Sequence, residues 1–249
     1  MDFFFECQDK AMVSATPPSE FADSRFENFD ILIIHPDFNY KKTITVCTTN
    51  NVLERTRQLL LQLDERPVFF FVNSTDIILA MMEQLGLRDQ SAVFCSADSV
   101  DKLKSQKFSN AHENWEKKYM AKYNWMTSRF YNAMDIELNE NPNVVMITDC
   151  YIADYTMIDP YMDAVQIIGR FRNGTSNIYH ISNFDERIPV RDKRDIITWY
   201  QCNKEIYEQI ETLKNIQTDP NCRTAYNDTM GVLLYNRFLD DYGKEDAFK

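Results

Sequence analysis

Glycine is scarce in this chain: five residues in 249 (Gly86, Gly169, Gly174, Gly231 and Gly243). None falls in a GxxxxGK(S/T) pattern, the loop whose backbone amides cradle nucleotide phosphates, so the chain carries no phosphate loop of its own. Positive charge is short as well, with 27 Lys and Arg against 38 Asp and Glu and a net charge of −11. Lys and Arg contacts to phosphate supply most non-specific affinity for nucleic acid; weak DNA or RNA binding by this chain alone is therefore expected. The six cysteines include no CxxC pair, which favours reduced core thiols over zinc ligands or disulfides; no metal site is expected. No 18-residue apolar run exists, so no membrane span is expected. The N-terminus MDFFFECQDK lacks the basic segment and cleavage site of a secretory signal. A cytoplasmic location follows as an expectation, and there the sequons at Asn73, Asn173 and Asn227 carry no meaning.

What is present is a chain with 44% apolar residues, enough to fill a sizeable core. From residue 29 onward, apolar runs of strand length alternate with amphipathic stretches of helix length. Strands are predicted at residues 31–34 (ILII), 43–49, 67–73 (PVFFFVN), 91–97, 143–149 (NVVMITD) and 176–182, with a short one opening 124–136 and another at 11–18. Helices are predicted at 51–63 with an Asn50 cap, at 76–85 between Ser74 or Thr75 and Gly86, and at 99–108; a further polar helix is predicted at 109–123. Strands alternating with helices of this length imply crossover connections and a parallel sheet, an α/β fold. The 67–73 run has no polar alternation, as in a strand covered on both faces. Residues 192–217 predict a long amphipathic helix with Ile196, Tyr200, Ile206, Tyr207, Ile210 and Leu213 inward. Asp219-Pro220 breaks it, and a second helix is predicted at 225–239.

The organising stretch is residues 159–174, DPYMDAVQIIGRFRNG. Asp159 and Pro160 have the form of a cap and first-turn proline, and Gly174 that of a left-handed stop. Met162, Val165, Ile168 and Phe171 form an apolar stripe, widened by Ala164 and Ile167. Gln166, Arg170 and Asn173 share the polar face, and Gly169 beside them admits another backbone or a ligand. Solvated arginines on a half-exposed helix are the plain alternative.

QIIGRFRNG resembles the sixth conserved motif of superfamily 2 helicases and translocases, Gln-x-x-Gly-Arg-x-x-Arg. Gln166, Gly169 and Arg170 match it; Asn173 stands where the last arginine is usual, with Arg172 one residue earlier. Three more resemblances follow the family's order: Ser14-Ala15-Thr16 the third motif, Asn73-Ser74 after the 67–73 run the fourth, and Thr127-Ser128 with Asp135 the fifth, Ala133 replacing its usual glycine.

The resemblance implies a RecA-like helicase C-terminal domain over residues 29–183, preceded by the end of lobe one and a linker (1–28) and followed by a helical extension (184–249). Arg170 and Arg172 are then catalytic, as arginine fingers on a γ-phosphate. Gln166, Gly169 and Asp135 contact ATP, while Asn73, Ser74, Thr127 and Ser128 hold the nucleic-acid backbone. Ser14 and Thr16 couple the lobes. ATP and Mg2+ belong to a full-length protein whose N-terminal RecA-like lobe this chain lacks; neither is expected to be held by this chain alone. Asp64-Glu65 and Asp185-Glu186 do not stand where the family places its magnesium acids. Should single strands bind tightly, Trp125, Phe130 and Tyr131 are the candidate stacking platform. Two rivals stay open: a translocase subunit of a restriction or repair complex, and a non-catalytic α/β interaction module.

Overall fold

The computed structural model describes residues 2–14, 16, 24–35, 37, 41–132, 134–184, 192–239 and 243. The chain divides into two compact units, Met1–Pro18 with Ile34–Asp185, and Ser19–Ile33 with Glu186–Lys249.

In chain order the first unit contains α1 (Asp2–Glu6), β1 (Thr45–Thr48), α2 (Val52–Leu60), β2 (Val68–Phe71), α3 (Thr75–Gln84), β3 (Ser91–Phe94), α4 (Ala97–Ser105), β4 (Ala111–His112), β5 (Tyr123–Met126), β6 (Asn143–Thr148), α5 (Asp163–Gly169) and β7 (Ile178–Ser182). The seven strands form one sheet in the order β1-β7-β6-β2-β5-β3-β4, every pairing parallel. The architecture is thus the expected α/β one, a parallel sheet flanked by helices and followed in the chain by further helices.

β2 explains why this sheet is stable. Val68, Phe70 and Val72 enter one core with residues of α2, α3 and α4, including Leu59, Ile78, Met82 and Leu103. Phe69 and Phe71 enter the other, with Ala164 and Ile167 of α5 and with Phe171. Alternate side chains point to opposite faces, so a strand covered on both sides needs an unbroken apolar run, which PVFFFV supplies. Phe70 stacks on Trp125 of β5 with ring centroids 4.1 Å apart. The helix starts are equally local: Asn51 accepts from the Glu54 amide at 3.0 Å and Ser74 from the Ile77 amide at 3.3 Å, giving α2 and α3 the side-chain caps that free amides need. The α2 cap is therefore Asn51, one residue beyond the predicted Asn50. α3 ends at Gly86 with φ +68°, the left-handed stop predicted for it.

Several elements differ from the expectation. Ile31, Leu32, Ile33 and Ile34 belong to no assigned element and are 69–86% exposed, with no strand pairing among the described residues. An apolar run becomes a strand only where a neighbour supplies the ladder, and no described strand does so here. Residues 11–14 likewise form no strand; 15, 17 and 18 lie outside the described residues. Residues 109–123 are not a helix: they hold β4 and a 3-10 turn, Lys117–Tyr119. Asn110, whose side chain donates to Ser91 O at 2.8 Å, brings this polar segment to the sheet edge.

The second unit contains a 3-10 turn (Ser24–Asn28) around buried Phe26, then α6 (Lys193–Ile216) and α7 (Pro220–Val232). Asp192 caps α6 on the Asp195 amide at 2.8 Å, and Asp219 caps α7 on the Asn221 amide at 2.8 Å, with Pro220 in the first turn. The second helix thus starts five residues before the predicted 225. Tyr200 and Tyr207 lean on Tyr235 at 5.6 and 5.3 Å between ring centroids. Ile196, Ile206 and Leu213, predicted inward, are exposed. The rings that meet Tyr200 and Tyr207 come from the 3-10 turn Leu234–Phe238, beyond the end of α7. Among the described residues no helix is long and apolar enough to cross a membrane.

Candidate functional site: an arginine turn and a hydroxyl-lined cleft

The arginine segment is a short helix leading into a turn. Asp159 accepts from the Tyr161 and Met162 amides, both at 2.7 Å, so it organises the entry turn, and α5 proper begins only at Asp163. The helix buries Ala164 and Ile167, with Phe171 beyond its end; Met162 and Val165 of the predicted stripe are exposed. A helix of seven residues has room for one narrow buried edge, and Ala164, Ile167 and Phe171 occupy it.

α5 stops at Gly169, and this places the two arginines differently. Arg170 folds back on its own helix: Nε donates to Gln166 O at 2.9 Å, Nη2 to Gln166 Oε1 at 3.2 Å and Nη1 to Met134 O at 3.2 Å. All three acceptors are neutral, and no carboxylate pairs with Arg170 among the described residues. Ile136 and Phe171 form a parallel bridge, with Ile136 N donating to Arg170 O at 2.8 Å and Arg172 N to Ile136 O at 3.1 Å. Arg172 pairs with Asp135 at 2.6 Å, while also donating to Gly169 O at 3.1 Å. The hydrogen bond from Arg172 holds the Asp135 carboxyl below the usual carboxylate range, and Asp135 in turn raises the guanidinium. Both groups are about half exposed, so the pair is easily opened by a competing anion. Asn173 has left the helix and donates to Leu138 O at 2.8 Å. A Cβ built on Gly169 would meet nothing within 4 Å among the described residues outside its own helix and chain neighbours. Gln166 also donates to Thr16 Oγ1 at 2.7 Å, tying the N-terminal segment to α5. Ser14 accepts from the Thr16 amide at 3.1 Å. Ala133 and Ala15 lie outside the described residues.

The second constellation is an open cleft of about 290 Å³ at the carboxyl ends of β2, β3 and β5. Asn73, Ser74, Thr127 and Ser128 all line it, together with Ser96, Ser99 and Arg129. Its position follows from the topology. β2 and β6 are neighbours, yet the chain leaves β2 towards β3 on one side and β6 towards β7 on the other. Such a switch point opens a crevice at the carboxyl ends of a parallel sheet. Asn73 ties its walls: Oδ1 accepts from the Ser128 amide at 3.3 Å, and Nδ2 donates to the carbonyl of Tyr155, in the loop after β6, at 3.0 Å. Formal charge in the cleft is nearly balanced. Arg129 pairs with Glu113 at 3.2 Å, and Asp76 with Lys102 at 2.7 Å. Hydroxyls and amides remain, groups that bind phosphate oxygens without a net charge.

Sequence reasoning missed Tyr155. Nothing in its immediate sequence marks it, because its place depends on how the loop after β6 returns over β2. The three aromatics singled out for stacking lie elsewhere: Trp125, Phe130 and Tyr131 are buried, since the strand run and the turn after it face the core. The Tyr131 hydroxyl has no hydrogen-bond partner among the described residues. Burial pushes the Cys95 thiol up to about 11, leaving it protonated at neutral pH and no nucleophile. His180 is a partly buried histidine of β7, its ring 3.0 Å from Thr148 Oγ1, with burial lowering its pKa. Asp64 receives Asn143 Nδ2 at 2.9 Å, a structural tie at the amino ends of the strands; Asp185 and Glu186 lie outside the described residues. Among the described residues no group of three His, Cys, Asp or Glu side chains is placed to hold a metal ion.

No known protein family matches the sequence, and no curated protein matches it. Among solved structures, the C-terminal domain of the DEAD-box protein Dbp5 is similar over 66% of this chain and 82% of its own length, with 15% identity and a TM-score of 0.34. At that TM-score the likeness carries no part of the assignment below.

Proposed function

We propose that this chain is the C-terminal motor lobe of an ATP-dependent nucleic-acid helicase or translocase of superfamily 2. What supports this is the way the four motif-like segments are joined. Thr16 of the third-motif segment bonds Gln166 of the sixth; Asp135 of the fifth pairs with Arg172 of the sixth; Asn73 of the fourth receives the amide of Ser128 of the fifth. Accidental resemblances scattered along a chain have no reason to converge in this way.

In this reading the two constellations divide the work. The cleft holds a phosphodiester backbone through Asn73, Ser74, Thr127 and Ser128. The arginine turn faces a nucleotide held chiefly by a partner RecA-like lobe that brings the phosphate loop and the magnesium acids. The residues present fit only the anionic side of that nucleotide: Arg170 and Arg172 offer guanidinium groups, and Asp135 an acceptor for a hydroxyl. ATP would supply the phosphoryl group whose transfer drives movement, and Mg2+ would sit on the partner lobe. Within this chain, Gln166 orients Arg170 through two hydrogen bonds, and Asp135 keeps Arg172 in reach while leaving it displaceable. Arginine fingers of this kind contribute about 10³–10⁵ in rate.

The test is turnover in a protein that joins this lobe to a phosphate-loop lobe. Arg170→Ala and Arg172→Ala each depress ATP hydrolysis, Arg170→Ala more, because its charge has no carboxylate partner to lose. Nucleotide affinity falls less than the rate in both, the signature of an interaction made in the transition state. Wild-type turnover in the double variant overturns the motor assignment and leaves the interaction module as the better account of the fold.

A further inference from the structure

The cleft raises a question of affinity. Its single arginine is already ion-paired, and the whole chain carries a net charge of −11, so electrostatic attraction for a polyanion is small there. A strand held at such a site needs a source of binding that does not depend on charge. Stacking of bases on aromatic rings is that source elsewhere, and it tolerates any base sequence.

Among the described lining residues of the cleft, Tyr155 is the one aromatic. The residue is 60% exposed, yet its backbone is fixed. It lies in the 3-10 turn Asp154–Thr156, and its carbonyl accepts from Asn73 Nδ2 at 3.0 Å. The next residue, Thr156, is fully buried. Its hydroxyl accepts from the Asp149 amide at 2.8 Å and donates to Ala153 O at 2.7 Å. An exposed ring on an anchored backbone loses little conformational freedom when a flat partner lies against it. The same asparagine that fixes this backbone also receives the Ser128 amide, so the Tyr155 backbone and the Ser128 segment are tied to one side chain.

We propose that Tyr155 is a base-stacking platform: a single-stranded nucleic acid lays a phosphodiester among the hydroxyls of the cleft and stacks an adjoining base on the Tyr155 ring. This assignment depends on the cleft being a backbone site, as read above.

Fluorescence anisotropy at low salt with two probes of equal length, an oligothymidylate and a fully abasic strand, tests it. The wild-type chain binds the oligothymidylate more tightly by about tenfold, within the roughly 5- to 150-fold range that one stacked base supplies. Tyr155→Ala brings the two affinities together, and Tyr155→Phe keeps them apart. Tyr161→Ala, an exposed tyrosine on the same loop that does not line the cleft, retains the preference. Ultraviolet cross-linking with a bromodeoxyuridine strand gives an independent readout, with the adduct expected on Tyr155. Equal wild-type affinity for both probes, an undiminished preference in Tyr155→Ala, or adducts only at other residues overturns the platform and leaves the backbone site standing. Failure of the wild-type chain to bind either probe overturns both.

Discussion

The cleft and the arginine turn sit in the same sheet unit but are held by opposite means. The cleft is the end of buried strands: β2 and β5 bring Asn73 and Thr127 to its rim from a core in which Phe70 and Trp125 are fully buried, and neutral hydrogen bonds join its walls. The arginine turn is seated on the core by Ala164, Ile167 and Phe171, but its charged groups are held at the surface, by one backbone bridge and a half-exposed ion pair. A surface meant to hold one geometry gains from the first design. A group that must leave its partner to meet a phosphate gains from the second, because exposed pairs are weak and quickly exchanged.

The largest expected effect lies beneath the cleft. Phe70→Ala removes a ring stacked on Trp125 and packed in the larger core, and large-to-small changes of this kind cost about 3–5 kcal/mol. Denaturant unfolding reads it as a lower midpoint with an unchanged slope. A loss under about 1 kcal/mol would mean that β2 is not the base of the cleft.

Asn73→Ala comes next, at about 1 kcal/mol, since it removes two neutral hydrogen bonds at a partly exposed position where water replaces part of the loss. Its more telling signature is local. The Ser128 amide loses its acceptor, so its hydrogen exchange accelerates while amides within β2 and β5 keep their protection. Equal acceleration in the strands would show that the asparagine supports the sheet rather than the cleft.

How much of this the sequence disclosed follows the same division. The buried strands were legible because unbroken apolar runs such as FFFV at 69–72 and NVVMIT at 143–148 have few other uses, and the cap at Ser74 because a cap is a local bond. Ile31–Ile34 looked like a strand by the same criterion and is not one, because pairing depends on a neighbour that composition does not reveal. The candidate residues of the sixth motif were readable from spacing, but not their partners. That Arg172 would meet Asp135 follows from α5 ending at Gly169 and from the Ile136–Phe171 bridge, neither encoded in periodicity. Tyr155 was invisible for a similar reason: the returning loop after β6, and not any pattern around residue 155, brings it to the cleft.

The smallest effect belongs to the ion pair of the arginine turn, and it sharpens the contrast most. Asp135 has a folded-state pKa below its unfolded value of about 3.9. Its contribution to stability is therefore fully present above about pH 4 and is lost as pH falls through the depressed folded value. Because the pair is solvent-exposed, Asp135→Asn leaves the melting temperature at pH 7 close to wild type, well inside the change produced by Asn73→Ala. What the substitution does alter is Arg172. Freed from its carboxylate, the guanidinium rotates faster, and its Nε–H NMR signal shifts and broadens at neutral pH as the wild-type signal does only below about pH 4. The cleft, tied by neutral groups, shows no such step: the Ser128 amide keeps its shift across the same titration. If Asp135→Asn destabilised the protein as much as Asn73→Ala, the turn would be part of the framework, and Arg172 would not be a group poised to change partners.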